Sequence, residues 1–361
     1  MAEENSGFGR NMMRYGHGGD IYTYRDMLDF SVNVNPLGPP KRVIEAAKRG
    51  AELAAAYPDS QCRRLRETLS AKQGLPAENY IFGGGAAELI YTLVLAEKPK
   101  RALLPVPAFS EYEQALKTVG CEINYYRTKR ENYFCPDEDL LEELRADTDI
   151  VFLCSPSNPS GHGIGKDMLR RTVQFCERLD IRLVLDECFS EFLQEPAKYS
   201  MLNETENHRK LFLLRAFTKT YAMPGLRLGY GVSSDLELLE RMEQVRQPWS
   251  VSVPAQEAGT AALAEDGYVT RTRELVGAER RYLETELKKM GIRFIPSDVN
   301  YILLETDINL FDEMKDRGIL IRDCSNYQGL GKGWYRIAVR THRENRYLTD
   351  ALRDIRGNGG F

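Results

Sequence analysis

The chain has 361 residues, 42% hydrophobic and 28% charged, and its 49 Lys and Arg against 53 Asp and Glu give a net charge of −4. This length predicts two domains, and the near balance of charge argues against binding to nucleic acid or an anionic membrane. Seven cysteines without a C-x-x-C spacing and four histidines indicate neither a disulfide framework nor a metal site. Since no apolar run approaches the ~18 residues that span a bilayer, and the N-terminus does not resemble a signal peptide, we expect a cytoplasmic protein.

Short β-rich runs alternate with helical patterns through the centre of the chain. The strand candidates are 101–106, 122–127, 149–156, 181–187, 210–217 and 227–233, and the helical patterns are 110–120, 136–146 and 166–180. The runs VFLC and LVLD are almost entirely apolar, which is typical of strands buried on both faces of a parallel sheet. The alternation therefore predicts an α/β domain with a mostly parallel central sheet.

The pattern changes after QPWSVSVPAQ. A long helical region over 254–289 precedes IRFIPSDVNYILLE and ILIRDCSNYQGLGKGWYRIAVR, and the helix NLFDEMKDRG lies between these two segments. We predict an N-terminal arm over 1–40 that joins the small domain, a large α/β domain over 41–250, and a small α+β domain over 251–361. A cleft between the domains is the expected place for a small-molecule site.

Three loops follow predicted strands, at the edge where open parallel sheets bind ligands. The glycines of FGGGAAELIYTLV open a helix whose amides from Gly85, Ala86 and Ala87 could hold a phosphate. Asn158 lies between prolines in CSPSNPSG, and the strand LVLDE contains Asp186 at its end. Each feature alone is more often an ordinary turn, a cap or an ion pair.

A lysine and an arginine eight residues apart complete the set. FTKTYAMPGLRLGY places Lys219 beside apolar residues and Arg227 after Pro-Gly. The order of phosphate loop, Asn-Pro-x-Gly, strand-end Asp, and Lys followed by Arg resembles the fold-type I pyridoxal-phosphate enzymes over nearly the whole chain. The fold expected from this resemblance is a large domain with a mostly parallel sheet plus a smaller α+β domain.

The resemblance implies a role for each of these residues toward pyridoxal 5'-phosphate. Lys219 would form the Schiff base with the cofactor aldehyde, and its apolar setting would lower its pKa and keep the amine nucleophilic. Arg227 would bind the cofactor phosphate with its fork-shaped guanidinium. Asp186 would pair with the pyridine nitrogen, and Asn158 would donate to the ring oxygen and border the substrate.

Other positions match cofactor contacts of the family. Phe109 in VPAFSEY matches the aromatic side chain that stacks on the ring. Tyr57 in AAYPDSQC matches a tyrosine that reaches the cofactor phosphate of the partner subunit, which implies a homodimer. The family often has Ser or Thr three residues before the lysine, where this chain has Ala216, and Thr218 could take over part of that role.

Position 189 bears on the reaction. Aminotransferases of this type usually carry a tyrosine three residues after the Asp, where it bonds the ring oxygen, and this chain has Phe189. The difference argues against a simple aminotransferase. It agrees with a resemblance to the L-threonine O-3-phosphate decarboxylases of cobalamin synthesis, in which phenylalanine is also found at this position.

Four further segments resemble the same decarboxylases: HGGDIY, LDFSVNVNPLGPP, RQPWSVSVPAQ, and ILIRDCSNYQGL with YRIAVR. The resemblance implies that His17 and Gly18 contact the substrate phosphate and that Asn33 lies over the substrate near its carboxylate. Arg322 and Arg336 would bind the two anionic ends, whereas the neighbouring Arg340 is given no role.

The predicted reaction is decarboxylation of L-threonine O-3-phosphate to (R)-1-amino-2-propanol O-2-phosphate. Transamination of histidinol phosphate is the alternative, because the fold and the lysine are common to both reactions. Decarboxylation of L-serine O-phosphate is a further option, since one methyl contact worth ~1–3 kcal/mol could decide between the substrates. A regulator built on this fold would need a helix-turn-helix module, for which the predicted arm offers no room.

Overall fold

The strands form three sheets in the computed structural model, which describes residues 16–357. In chain order the strands are β1 (Leu28–Asp29), β2 (Tyr80–Gly83), β3 (Arg101–Val106), β4 (Glu122–Arg127), β5 (Ile150–Cys154), β6 (Arg182–Asp186), β7 (Leu211–Ala216), β8 (Gly229–Val232), β9 (Arg293–Ile295), β10 (Tyr301–Glu305), β11 (Ile319–Leu320), β12 (Arg322–Asp323) and β13 (Trp334–Ala338). The helices are α1 (Lys41–Glu52), α2 (Arg63–Gln73), α3 (Ala86–Glu97), α4 (Ser110–Thr118), α5 (Asp139–Glu143), α6 (Lys166–Arg178), α7 (Phe217–Thr220), α8 (Leu236–Val245), α9 (Val253–Leu263), α10 (Tyr268–Lys289), α11 (Leu310–Lys315) and α12 (His342–Gly357).

The central sheet has seven strands in the order β2-β8-β7-β6-β5-β3-β4. Strands β7, β6, β5, β3 and β4 run parallel, and β8 is antiparallel to both of its neighbours. The predicted α/β fold with a mostly parallel sheet is therefore confirmed.

The apolar strands are explained by burial on both faces of this sheet. In β6, Leu183 and Leu185 face a core formed with α1, α2, α6 and α9, whereas Val184 faces a second core formed with α3, α4 and α8. Because successive side chains of a strand point to opposite faces, each of these residues has to be apolar. Burial of one such side chain contributes ~1.5–3 kcal/mol to folding.

A smaller unit follows the central sheet along the chain. Strands β12, β13, β10 and β9 form a four-stranded antiparallel sheet in that order, and α10 and α12 contribute to its core. Strand β1, within the predicted arm, pairs in parallel with β11. The boundaries at 40/41 and 250/251 stay predictions, and residues 1–15 of the arm lie outside the described residues.

The helical region predicted over 254–289 is divided into two helices. Helix α9 ends at Leu263 and α10 begins at Tyr268. Gly267, immediately before α10, has a φ of +70°, which a right-handed helix cannot accommodate. The turn between the helices therefore comes from a local glycine conformation that the hydrophobic pattern does not reveal.

The carboxyl ends of β5, β6 and β7 meet the N-terminus of α3 and the antiparallel sheet around one cavity. Among residues 16–357, no helix combines the length and apolar character needed to cross a bilayer. Nor does this part of the chain contain a cluster of three His, Cys, Asp or Glu side chains arranged to hold a metal ion.

Candidate active site

A cavity of about 470 Å³ lies at the carboxyl ends of the parallel strands. Its walls contain every site residue predicted from the sequence except Tyr57. These are His17, Gly18, Asn33, Gly85, Ala86, Ala87, Phe109, Asn158, Asp186, Thr218, Lys219, Arg227, Arg322 and Arg336. The fold therefore gathers side chains from the arm, the central sheet and the antiparallel sheet, while their individual roles stay predictions.

Lys219 lies in α7, the single helical turn that follows β7 directly. Burial, together with the nearby guanidinium of Arg336, lowers the pKa of its amine to about 8. A buried cation loses hydration, so the neutral amine is favoured. The neutral amine is the form that attacks a carbonyl carbon.

An anion cradle surrounds the start of α3. Gly85 precedes the helix with a φ of +100°, and a Cβ atom added there would lie 2.6 Å from Nη2 of Arg227. This close approach requires glycine, because any side chain would displace the guanidinium. The amide of Gly85 donates to the carbonyl of Gly83 at 2.7 Å, so the amides of Ala86 and Ala87 at the helix N-terminus, together with the arginine, form the site suited to a phosphate group.

The carboxylate of Asp186 is held at the end of β6. Its Oδ2 accepts a hydrogen bond from the hydroxyl of Tyr112 at 2.6 Å, and its Oδ1 accepts one from the amide of Cys188 at 2.9 Å. Burial and the neighbouring carboxylate raise the pKa of Tyr112 well above its ordinary value. The phenol therefore keeps its proton and remains a donor to Asp186.

Tyr112 was missed by the sequence analysis. It packs edge-on against Phe109, with ring centroids 5.8 Å apart. The two residues are three apart at the beginning of α4, and this spacing puts them on one side of a helix. That spacing is a signal that could have identified Tyr112 as a neighbour of the cofactor site.

Arg322 and Arg336 are cross-strand partners in the β12–β13 pair. Their side chains therefore leave the sheet on the same face, with Cβ atoms about 5 Å apart in such pairs. Two like charges placed opposite each other destabilise a sheet. A dianionic ligand bound between or beside them would offset that repulsion.

Arg336 is only 6% exposed. Its Nη1 donates to Oδ1 of Asn158 and, at 3.3 Å, to the hydroxyl of Tyr327, while its Nη2 donates to the carbonyl of Ser31 at 3.2 Å. Its buried Nε has no hydrogen-bond partner among residues 16–357. A buried guanidinium N–H without an acceptor is costly, so an acceptor that reached this Nε would stabilise the side chain.

The arm enters the cavity through His17 and Gly18. Nε2 of His17 lies 3.0 Å from Oε1 of Glu111, and this hydrogen bond lowers the pKa of the Glu111 carboxyl below its usual value. A Cβ atom at Gly18 would lie 2.4 Å from the carbonyl oxygen of Ser31, so glycine is required there. Glu111 was not predicted, and its contact with the arm leaves no signal in the sequence.

The two departures from the family pattern also face the cavity. Ala216 ends β7, and Phe189 packs edge-on against Tyr301 with ring centroids 5.0 Å apart. The hydroxyl of Tyr301 donates to the carbonyl of Ser157 at 2.7 Å. Phe189 therefore gives the cavity an apolar surface at this position. Thr218 lines the cavity one residue before Lys219.

Two residues considered in the sequence analysis lie elsewhere. Tyr57 is 79% exposed and stacks on Trp249, with ring centroids 4.6 Å apart. Arg340 pairs with Glu344 at 2.6 Å and donates to the carbonyl of Asp29 at 2.8 Å. Arg340 therefore has a structural role between the arm and α12, and we assign it no contact with a ligand.

The arrangement fits pyridoxal phosphate. The cavity supplies an amine that is largely neutral above pH 8, an anion cradle that a Cβ at Gly85 would fill, and a buried carboxylate with a fixed orientation. These three features match the aldehyde, the phosphate and the ring nitrogen of that cofactor.

Comparison with known proteins gives the same result. The chain is 38% identical over 357 residues, 97% of its length and 96% of the relative's, to a protein of Caldanaerobacter subterraneus subsp. tengcongensis provisionally named a threonine-phosphate decarboxylase. It is 35% identical to the threonine-phosphate decarboxylase of Salmonella typhimurium, with 91% of each chain covered. The structure of the histidinol-phosphate aminotransferase from Clostridium acetobutylicum superposes with a TM-score of 0.86 at 29% identity, covering 92% of this chain and 100% of that one. The family model "Aminotransferase class I and II" matches residues 25–352. The protein therefore belongs to the class I and II aminotransferase family and is an enzyme that uses pyridoxal phosphate.

Proposed function

We propose that this enzyme decarboxylates L-threonine O-3-phosphate to (R)-1-amino-2-propanol O-2-phosphate for the nucleotide loop of cobalamin. The observation that carries the proposal is the pairing of Arg322 with Arg336 on the cavity that contains Lys219. Threonine phosphate has two anionic groups, a phosphate and a carboxylate, which the pair can bind together. An aminotransferase acting on histidinol phosphate would also need a phosphate-binding arginine pair, but Phe189 in place of the usual tyrosine argues against that reaction. The printed names of two relatives at 35–38% identity support the same substrate.

Pyridoxal phosphate supplies, when bound, an electron sink for the pair left at Cα by a broken bond. The residues that would hold the cofactor all line the cavity. Those for its phosphate are Gly85, Ala86, Ala87, Thr218 and Arg227, and those for its ring are Phe109, Asn158 and Asp186. The Tyr112 hydroxyl fixes the orientation of the Asp186 carboxylate.

The substrate would be held at both ends. Arg322 and His17, the latter oriented by Glu111, would bind the phosphate. The buried Nε of Arg336 would donate to the carboxylate, and Asn33 would lie beside it. Arg336 and Asn33 would thereby orient the carboxylate and its bond to Cα, the bond that decarboxylation breaks, in the cavity beside Lys219.

The proton balance assigns a second role to Lys219. Breaking the Cα–carboxylate bond releases CO₂ and leaves an electron pair, so one proton has to be delivered to Cα. The amine of Lys219, whose pKa is lowered to about 8, can accept and return a proton near neutral pH. We infer that Nζ of Lys219 delivers this proton. We also infer that the apolar walls of the cavity exclude water from the side of Cα that Lys219 approaches.

We further infer a cytoplasmic homodimer. Tyr57 of the partner subunit would reach the cofactor phosphate, which the exposed position of this side chain in the single chain permits. Tyr57 and Trp249 form an exposed aromatic pair, as is common where a surface is buried by association.

The test is incubation of the purified, cofactor-loaded enzyme with L-threonine O-3-phosphate without a keto-acid acceptor. We expect stoichiometric CO₂ and an amino alcohol phosphate. L-Serine O-phosphate in a parallel reaction measures the contribution of the substrate methyl group. Rapid transamination of histidinol phosphate with 2-oxoglutarate, without CO₂ release from threonine phosphate, would overturn the proposal in favour of the aminotransferase.

A further inference from the structure

Tyr327 contacts both arginines of the proposed substrate site. Its hydroxyl lies 3.3 Å from Nη1 of Arg336, and the guanidinium of Arg322 lies 5.6 Å from the centre of its ring. The same hydroxyl donates to Oδ1 of Asn158 at 3.3 Å. One side chain therefore joins both candidate anion-binding groups to the amide that faces the cofactor position.

The phenol is held firmly by its surroundings. Tyr327 is 9% exposed and packs with Phe134, Leu303 and Cys324 in the turn between β12 and β13. Its amide donates to the carbonyl of Cys324 at 3.0 Å, and its carbonyl accepts from the amide of Leu330 at 3.1 Å. A buried aromatic ring whose backbone makes two hydrogen bonds has little freedom to move when the neighbouring arginines move.

The two arginines, in contrast, need a fixed spacing. They are opposed across the strand pair, so repulsion drives their long side chains apart. A cation over an aromatic face is attracted to the ring, which keeps Arg322 on one side of the phenol. The hydroxyl holds Arg336 at the other end. Other groups also hold each arginine: Nη2 of Arg322 donates to Oδ1 of Asn326 at 2.9 Å, and Arg336 donates to Asn158 and Ser31. Tyr327 is the side chain that contacts both guanidinium groups, so it links their two positions.

We propose that Tyr327 is a positioning residue that fixes the separation of Arg322 and Arg336 and so selects dianionic ligands by length. The inference rests on the proposed function insofar as threonine phosphate is the dianion selected. Through Asn158 the same hydroxyl also controls how the carboxylate is aimed relative to the cofactor ring. Tyr327 therefore influences which Cα bond breaks without itself touching the reacting atoms.

The length selection can be measured by binding alone. Phosphonoacetate, 3-phosphonopropionate and 4-phosphonobutyrate differ by one methylene each, and their binding to the cofactor-loaded enzyme can be followed by the visible absorbance of the cofactor. We expect wild type to prefer one length by roughly tenfold or more, as one misfitted methylene costs. Tyr327→Leu removes both the ring and the hydroxyl, and should reduce this preference to less than about threefold.

A second variant separates the ring from the hydroxyl. Tyr327→Phe keeps the ring beside Arg322 but removes the hydrogen bond to Arg336, so length selection should weaken less than in Tyr327→Leu. Loss of the hydroxyl should raise the yield of pyridoxamine phosphate per CO₂ by about two- to tenfold, the range expected for one hydrogen bond. Tyr335→Phe is the matched control, because its hydroxyl bonds the carbonyl of Ile308 outside the cavity.

The outcomes separate this proposal from the proposed function. If Tyr327→Leu retains the wild-type length preference, the role of Tyr327 in setting the arginine separation is refuted even when threonine phosphate is the substrate. If Tyr327→Phe retains the wild-type product ratio, its role in aiming the carboxylate through Asn158 is refuted. Loss of the length preference in Tyr327→Leu supports the role even if wild type releases no CO₂ from threonine phosphate. Should Tyr327→Leu fail to fold, the product ratio of Tyr327→Phe decides.

Discussion

Replacement of Arg336 by lysine should damage substrate binding far more than cofactor binding. The guanidinium is 6% exposed, and three of its contacts are hydrogen bonds to Asn158, Tyr327 and Ser31, with Nε left over for a ligand. A charge-assisted hydrogen bond contributes about 1.5–3 kcal/mol. Losing one such bond to the substrate should therefore lower kcat/KM by roughly ten- to hundredfold. Lysine keeps the charge but cannot reproduce the planar fork.

The assay measures one product from each of two competing reactions, decarboxylation and abortive transamination. CO₂ release from threonine phosphate gives kcat/KM, and accumulation of pyridoxamine phosphate reports protonation that ends in abortive transamination. Arg336→Lys should increase the second product relative to the first, because a loosely held carboxylate is less often in the orientation that its cleavage requires. Cofactor affinity should stay near wild type, since the groups that we propose for the cofactor phosphate, Arg227 and the N-terminus of α3, do not include Arg336.

Arg340→Lys provides the matched control. Arg340 is also an arginine next to β13, but its partners are Glu344 and the carbonyl of Asp29. A partly exposed ion pair contributes about 0–1 kcal/mol to stability, so this variant should keep its activity. Wild-type turnover and product ratio in Arg336→Lys would refute the assignment of Arg336 to the substrate carboxylate.

Three further predictions concern the cofactor. The rate at which cofactor-free enzyme captures pyridoxal phosphate should rise with pH and level off above about 8, because burial lowers the pKa of Lys219 and the neutral fraction of its amine is only roughly a tenth at pH 7. A rate independent of pH between 6 and 9 contradicts this. Lys219→Ala should lose the borohydride-reducible attachment of the cofactor and all turnover. Gly85→Ala places a Cβ 2.6 Å from Nη2 of Arg227 at a φ of +100°. The displaced guanidinium and a backbone strain of about 1–3 kcal/mol should weaken cofactor affinity roughly tenfold in a spectroscopic titration. Gly165→Ala, with open space around its added Cβ, should bind the cofactor normally. Tyr57→Ala should lower cofactor affinity without disturbing the fold, and sedimentation that finds an active, cofactor-loaded monomer would exclude the predicted contact between subunits.

Features that are local in the chain could be predicted from the sequence. The apolar runs VFLC and LVLD predicted buried parallel strands, because each residue in them meets a core whichever face it points to. The glycine-rich turn, the strand-end Asp186, and Lys219 followed by Arg227 were identified from their order and spacing. These features can be recognised in a sequence because each depends on a short segment whose own residues specify its conformation.

Contacts between distant segments, in contrast, became visible only in the folded chain. Tyr112 bonds Asp186 across 74 residues, and Arg336 bonds Asn158 across 178 residues. The register of β12 and β13 sets Arg322 opposite Arg336, and the contact of the arm with α4 brings Glu111 to His17. Periodicity within a segment reports which of its faces is buried, but sheet register and packing between distant segments determine which side chains share a cavity.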